Sequence, residues 1–187
     1  MIYVEDNFLP DNVFQSLVGY SNNFEEVKTP GKSFFVKEIP GDLTKYIIDK
    51  LEAIEGKKIK NILAFLREAK GEQDADWRIH NDSIINEQQP DRAIVLYMSE
   101  NKSPLLNGTA FWEHKEYGDT FPENETTDKF NKMLNEDAED LTKWNLKSVI
   151  GHKPNRLISY PCEYFHSKYP KEFKNSRVVF VMFYKIK

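Results

Sequence analysis

From about residue 60 onward, the apolar residues of this chain stop recurring every three to four positions and begin to alternate. That change of period constrains the fold more than any other feature. Side chains alternate across a strand, so a slip of one residue would turn a whole apolar face toward water. Ile62-Leu63-Ala64-Phe65-Leu66 is a short β-like run, and Gly108–His114, 156–160 and Arg177–Ile186 are further strand candidates. Ala93-Ile94-Val95-Leu96-Tyr97-Met98 is apolar without interruption, as a strand covered on both faces is.

The N-terminal third reads differently. Tyr3-Val4 suits a short strand, and 13–20 a helix with Phe14, Leu17 and Val18 on one face and Asp11 as its N-cap. Ser33-Phe34-Phe35-Val36 predicts a strand before the turn at Pro40-Gly41. Leu43, Ile47, Ile48, Leu51 and Ile54 predict a helix over 43–54 that stops before Gly56. Between the later strands an acidic stretch, 127–144, carries Phe130, Met133, Leu134, Leu141 and Trp144 as a partial apolar face, with Thr126 or Thr127 to cap it. Helices first, then many strands with one helical insertion, predict a mainly β domain with flanking helices: a helix-backed antiparallel sandwich or barrel.

Composition narrows the function. A length of 187 residues fits one domain, 1–187. An aromatic fraction of 13% excludes a disordered chain. The net charge of −4 argues against an overall basic nucleic-acid binder, so no nucleic-acid partner is expected. The single cysteine, Cys162, cannot form an internal disulfide and reads as a small buried residue rather than a nucleophile. The opening residues carry no basic and apolar leader, and no apolar run is long enough to span a membrane. The expectation is a cytoplasmic protein with no membrane partner.

The chemistry lies in two of the four histidines. In His80-Asn81-Asp82, residues i and i+2 of an extended segment point to one side and offer an imidazole and a carboxylate to a common point. His166, in Tyr164-Phe165-His166-Ser167 after the 156–160 strand, is the candidate third ligand. Two histidines and one carboxylate occupy one face of an octahedral metal and leave three positions open, the arrangement of non-haem Fe(II) oxygenases. Arg177 begins the last strand candidate, followed on the same side by Val179, Val181 and Phe183. A buried arginine among apolar neighbours needs a counter-charge. A dicarboxylic cosubstrate supplies one, chelating iron at one end and pairing with the guanidinium at the other; 2-oxoglutarate fits. His114 and His152 read as structural or exposed, and Trp77 as a core or rim aromatic.

These residues resemble the Fe(II)/2-oxoglutarate-dependent oxygenases, specifically the prolyl-4-hydroxylase-like branch. His80-Asn81-Asp82 matches the H-x-D motif, and Val95-Leu96-Tyr97-Met98-Ser99 is similar to the aromatic-rich "YLN" strand. Asn107-Gly108-Thr109-Ala110-Phe111-Trp112 is similar to the "GG-x-x-F" strand, with Asn107 in place of the first glycine. Asn155-Arg156-Leu157-Ile158-Ser159-Tyr160-Pro161 with His166 resembles the "GRL-x-x-FP…H" segment, and Phe8-Leu9-Pro10 the "FL" start. Arg177 falls eleven residues past His166, slightly beyond the usual place of the family's basic residue.

The resemblance covers most of 77–187 in the right order. It implies a double-stranded β-helix, the cupin-like jelly roll, with a core over 71–187, a helix-rich support over 1–70 and a helical insertion at about 115–153 that encodes substrate choice. It implies Fe(II) held by His80, Asp82 and His166, and 2-oxoglutarate anchored by Arg177 with Tyr97 against its distal carboxylate. The implied reaction consumes O2 and 2-oxoglutarate, releases succinate and CO2, and hydroxylates a protein or peptide side chain or a small molecule. A cupin-like metalloprotein that makes no use of 2-oxoglutarate would keep the triad without needing Arg177. A catalytically silent jelly-roll binding module would be expected to lack a ligand.

Overall fold

The structure is a computed structural model that describes residues 1–29, 32–69, 77–100, 106–171 and 176–187. In chain order the elements are β1 (Tyr3–Glu5), α1 (Asp11–Tyr20), β2 (Glu25–Thr29), β3 (Lys32–Lys37), α2 (Gly41–Glu55), β4 (Ile59–Ala69), β5 (Arg92–Tyr97), β6 (Gly108–His114), α3 (Thr127–Glu136), β7 (Trp144–Gly151), β8 (Leu157–Pro161), β9 (His166–Tyr169) and β10 (Arg177–Ile186). They build two antiparallel sheets, a seven-stranded one in the order β1-β8-β5-β10-β4-β3-β2 and a three-stranded one in the order β7-β6-β9. The architecture is a jelly roll, mainly β with flanking helices.

Three apolar clusters hold the layers together, and alternation sorts the residues among them. In β5, Ile94 and Leu96 face outward and pack with Phe14, Leu17, Ile47 and Leu51 of the two N-terminal helices. Ala93, Val95 and Tyr97 face inward and pack with Phe111, Ile158, Tyr160, Val179 and Phe183 between the sheets. The uninterrupted apolar run at 93–98 therefore belongs to an antiparallel strand with helices on one side and a second sheet on the other. A third cluster, with Ala110, Trp112, Met133, Trp144, Phe165, Trp77 and Ile79, lies behind the small sheet and takes in α3. Full burial of such side chains stabilises by about 1.5–3 kcal/mol each.

Local chemistry moves several boundaries. Asp11 is not the N-cap of α1: Pro10 holds that position at φ −54°, and Asp11 is the first helical residue. Proline suits the place because it has no N–H to leave unpaired. Pro40 does the same for α2, which closes at Gly56 in the left-handed conformation, φ 66°. The predicted helix over 127–144 is shorter. Thr126 caps it through its side chain, but it ends at Glu136, and a single 3-10 turn at Leu141–Lys143 leads into β7. Trp144 reaches the third cluster from a strand rather than a helix, and Leu141 is exposed. The expected helical insertion at 115–153 is thus helix in its middle and, over Trp144–Gly151, a strand of the small sheet. Strands β2, β3 and β4 also place much of 1–70 within the large sheet rather than in a helical support. The expected boundary at 70–71 lies outside the described residues.

Candidate metal centre

His80 lies on an extended segment that continues the small sheet. It exchanges two backbone hydrogen bonds with His166, at 3.0 and 2.8 Å, which sets the two imidazoles side by side. Their ring centroids are 4.5 Å apart. The Asp82 N–H donates to the Cys162 carbonyl (2.8 Å), which turns the carboxylate back toward the histidines. His166 opens β9 opposite Phe111 of β6.

The three side chains converge. One ligand atom from each of His80, Asp82 and His166 lies within 4.8 Å of the others. Asp82 Oδ2 is 3.2 Å from His166 Nε2, and Asp82 Oδ1 is 3.8 Å from His80 Nε2. Each ring is oriented from behind: His80 Nδ1 meets the Arg78 carbonyl at 2.9 Å and His166 Nδ1 meets the Tyr164 carbonyl at 3.0 Å. A carbonyl only accepts, so Nδ1 carries the proton and the Nε2 lone pair is left for a metal. Such hydrogen bonds fix tautomer and orientation in metal sites. Burial pushes the Asp82 carboxyl up, but the His166 charge and hydrogen bond, the His80 charge and Arg67 outweigh it and hold it below its ordinary value. Burial pushes His166 down, but the Asp82 charge and hydrogen bond and the Tyr164 carbonyl leave it raised. A cation between these groups would take over the role of the shared proton.

Arg177 stands at the start of β10, only 8% exposed, and its Nη1 donates to the Gly108 carbonyl at 2.6 Å. Its guanidinium carbon lies 5.8 Å from the centre of the Tyr97 ring. The Tyr97 hydroxyl shares a hydrogen bond with Thr109 Oγ1 (2.8 Å) and donates to the Ile150 carbonyl (3.3 Å). His152 stacks on Tyr97 at 4.6 Å and donates through Nε2 to the Ser99 carbonyl at 2.6 Å. Burial pushes the His152 imidazole down to about 4, against the Ser99 hydrogen bond and with help from the Arg177 charge, so the ring is neutral. His152 Nδ1 and Asn107 Oδ1 are buried without a hydrogen-bond partner. Native proteins rarely leave such groups unmatched, and both are acceptors, so a donor such as an ordered water is expected beside them. Phe111, opposite His166, lies three residue steps along β6 from Gly108, a distance of about 10 Å. A five-carbon diacid bound to a metal at the triad can bridge that span to the guanidinium.

The structure groups His80, Asp82 and His166 and sets Arg177 over the Tyr97 ring. His114 is buried and structural, with Nδ1 accepting from the Glu116 and Tyr117 N–H groups (3.2 and 3.3 Å) and Nε2 3.3 Å from Asp137. Cys162 is buried, and burial pushes its thiol far up, which leaves it inert. Sequence reasoning missed Asn107 and His152, although one step beyond the Gly108–Gly151 pair the register sets them opposite each other, joined by the His152 N–H to the Asn107 carbonyl at 2.5 Å. It also missed Arg67, which shares the inward alternation of Leu63 and Phe65 in β4 and whose charge acts on Asp82.

No protein-family model and no curated protein sequence matches the chain. Solved structures do match in fold. A Pseudomonas putida prolyl-4-hydroxylase superposes with a TM-score of 0.59 at 9% identity, covering 100% of this chain and 92% of that one. HygX from Streptomyces hygroscopicus, with nickel, 2-oxoglutarate and hygromycin B bound, gives 0.65 at 9% identity over 98% of this chain and 82% of its own. The viral collagen prolyl hydroxylase of Paramecium bursaria Chlorella virus-1, in its 2-oxoglutarate complex, gives 0.55 at 13% identity over 98% and 94%. The chain has the jelly-roll fold of the 2-oxoglutarate-dependent oxygenases.

Proposed function

We propose that this protein is a 2-oxoglutarate- and O2-dependent non-haem iron oxygenase that hydroxylates an organic or peptidyl substrate. The observation that carries the reading is the convergence of His80, Asp82 and His166 within 4.8 Å, with both imidazoles held in the metal-binding tautomer by backbone carbonyls. The donor set suits iron(II), and the buried Arg177 suits a dicarboxylate. The bound nickel and 2-oxoglutarate of HygX support the same pairing.

When bound, iron and 2-oxoglutarate would supply oxidative decarboxylation to succinate and CO2, coupled to oxygen transfer from O2 to a substrate C–H bond. The chain's residues do the rest. His80 and His166 present Nε2 lone pairs, and Asp82 supplies the anionic ligand. Arg177 anchors the distal carboxylate and Tyr97 forms the wall beside it. Val95, Phe111, Val179 and Phe183 exclude water from the inner end. Among the described residues no helix is long and apolar enough to cross a membrane. A cytoplasmic location without nucleic-acid partners rests on the sequence alone. Substrate choice is assigned to the 115–153 segment, where Tyr117, Phe121 and Phe130 pack beside the third cluster.

The test is anaerobic addition of Fe(II) and then 2-oxoglutarate to metal-free protein. A visible charge-transfer band that needs both additions and is lost in His166→Ala is the expected result. Iron binding without a band would favour a cupin-like metalloprotein, and no iron binding would leave a binding module.

A further inference from the structure

Each histidine of the metal centre follows a large apolar residue, Ile79 before His80 and Phe165 before His166, both 0% exposed. Neighbours on an extended chain point to opposite sides. The imidazoles therefore face the pocket, while Ile79 and Phe165 enter the third cluster behind the small sheet. The pairing between the two ligand segments is short. Among the described residues, 77–82 forms no named strand, and His80 with His166 is an isolated bridge. Such a bridge sets register, but it leaves the tilt of the two segments open, because no neighbouring pairs on the ladder constrain it. Packing from behind has to fix that tilt.

That packing comes from the stretch between α3 and β7. Trp144, 4% exposed, sets its ring 5.0 Å from that of Phe165, at 74°. Its indole N–H donates to the Asp137 carbonyl at 2.7 Å. The Asp137 carboxylate meets His114 Nε2 at 3.3 Å, and His114 is the cross-strand partner of Trp144. The next carbonyl, that of Ala138, accepts from the Ile79 N–H at 2.9 Å. The ring of one indole thus touches Phe165, and its N–H holds the 137–138 backbone that grips Ile79. Both contacts fall one residue from a candidate metal ligand.

We propose that Trp144 is a positioning residue for the metal centre, holding His80 and His166 at their mutual angle from the far side of the small sheet. The inference rests on the proposed function for the presence of the metal. It gives the 137–144 part of the insertion a task separate from substrate choice. Loss of a group that orients metal ligands from outside typically costs about 10- to 100-fold in metal affinity. Trp144 acts through one intervening residue on each side, so the lower end of that range is expected.

Trp144→Phe removes the N–H and keeps an aromatic ring against Phe165. Fe(II) affinity is measured anaerobically against a competing chelator. Co(II) is added to a separate sample for its visible d–d spectrum, which reports ligand geometry. Trp144→Phe should raise the Fe(II) dissociation constant roughly 10-fold and displace the Co(II) bands. Ile47→Val, in the cluster between the N-terminal helices and the large sheet, lowers stability without touching the small sheet and should leave both readouts unchanged. Ile79→Val thins the layer behind His80 but keeps its N–H. It should displace the Co(II) bands, and it carries the test if Trp144→Phe does not fold. Readouts equal to those of the unsubstituted protein in Trp144→Phe, or in Ile79→Val where the first does not fold, would overturn the role of Trp144. An equal loss in Ile47→Val would also overturn it, by showing that metal affinity follows overall stability. Failure of the unsubstituted protein to bind either metal would overturn the metal centre itself.

Discussion

Arg177→Met separates the two halves of the site. Arg177 is 8% exposed, and its guanidinium donates to the Gly108 carbonyl at 2.6 Å. In the ligand-free protein its removal has opposing effects. The carbonyl loses its partner, which costs about 1–3 kcal/mol, but a buried charge is also relieved. With cosubstrate the effects no longer oppose. Truncating one member of a buried, hydrogen-bonded charge pair costs about 2–5 kcal/mol. At about 1.4 kcal/mol per tenfold, the 2-oxoglutarate dissociation constant should rise roughly 30-fold to several thousand-fold. Iron behaves differently. At about 10 Å, a guanidinium and a divalent ion repel by about 1–3 kcal/mol for effective dielectrics between that of water and that of a protein surface. Losing the arginine should leave Fe(II) affinity equal or better. The assay is anaerobic: Fe(II) titration against a competing chelator, then 2-oxoglutarate titration by its visible band. An unchanged 2-oxoglutarate affinity would refute the anchoring role, and a loss of iron binding would refute the spatial separation of the two ends.

Three further outcomes follow from the same geometry. His166 is raised above its ordinary value and must lose its proton to bind a metal, so Fe(II) affinity should be flat at high pH. It should then weaken by about tenfold per unit below that raised value; a flat profile from pH 5 to 8 would contradict the ligand assignment. In the metal-free protein the same raised value means that the Asp82–His166 contact stabilises below the unfolded histidine value and is lost as pH rises through the folded one. His152 behaves oppositely: lowered from 6.5 to about 4, it binds fewer protons folded than unfolded in that window. Acidification should therefore remove about 3 kcal/mol of stability, a loss that His152→Phe should abolish in pH-dependent urea melts. Gly108→Ala would push a Cβ into the Ile150 carbonyl. It should cost about 1–3 kcal/mol and weaken 2-oxoglutarate binding, because the displaced backbone carries the carbonyl that holds Arg177.

How much of this was legible beforehand depended on whether a feature was local. The H-x-D spacing already implied that His80 and Asp82 share a face, because alternation is a property of any extended chain. The inward set Arg177, Val179, Val181, Phe183 followed for the same reason. The strand β7 did not, because Trp144 and Leu141 complete an apolar stripe at helical spacing as readily as they mark the end of one helix and the start of a strand. Only the need of β6 for a second partner decides between them. The N-cap of α1 was misplaced by two competing rules, since Asp11 is a good cap and Pro10 is a better first constraint on φ. His152 carries no pattern of its own, and its meaning lies in what it faces.

The amino-acid sequence determined the alternation, the apolar faces, the candidate triad residues and the arginine that opens the last strand. These are properties of chemical type and spacing along a chain. The tertiary structure alone decided which atoms meet. It set His166 beside His80 through a backbone bridge, placed Arg177 on the Gly108 carbonyl, and, among the described residues, left the acceptors of Asn107 and His152 unmatched. Those facts depend on contacts between residues far apart in sequence, whose closure is fixed only when the two sheets bury their common face. A functional site is the place where such long-range contacts leave polar groups without partners, and no local pattern records that.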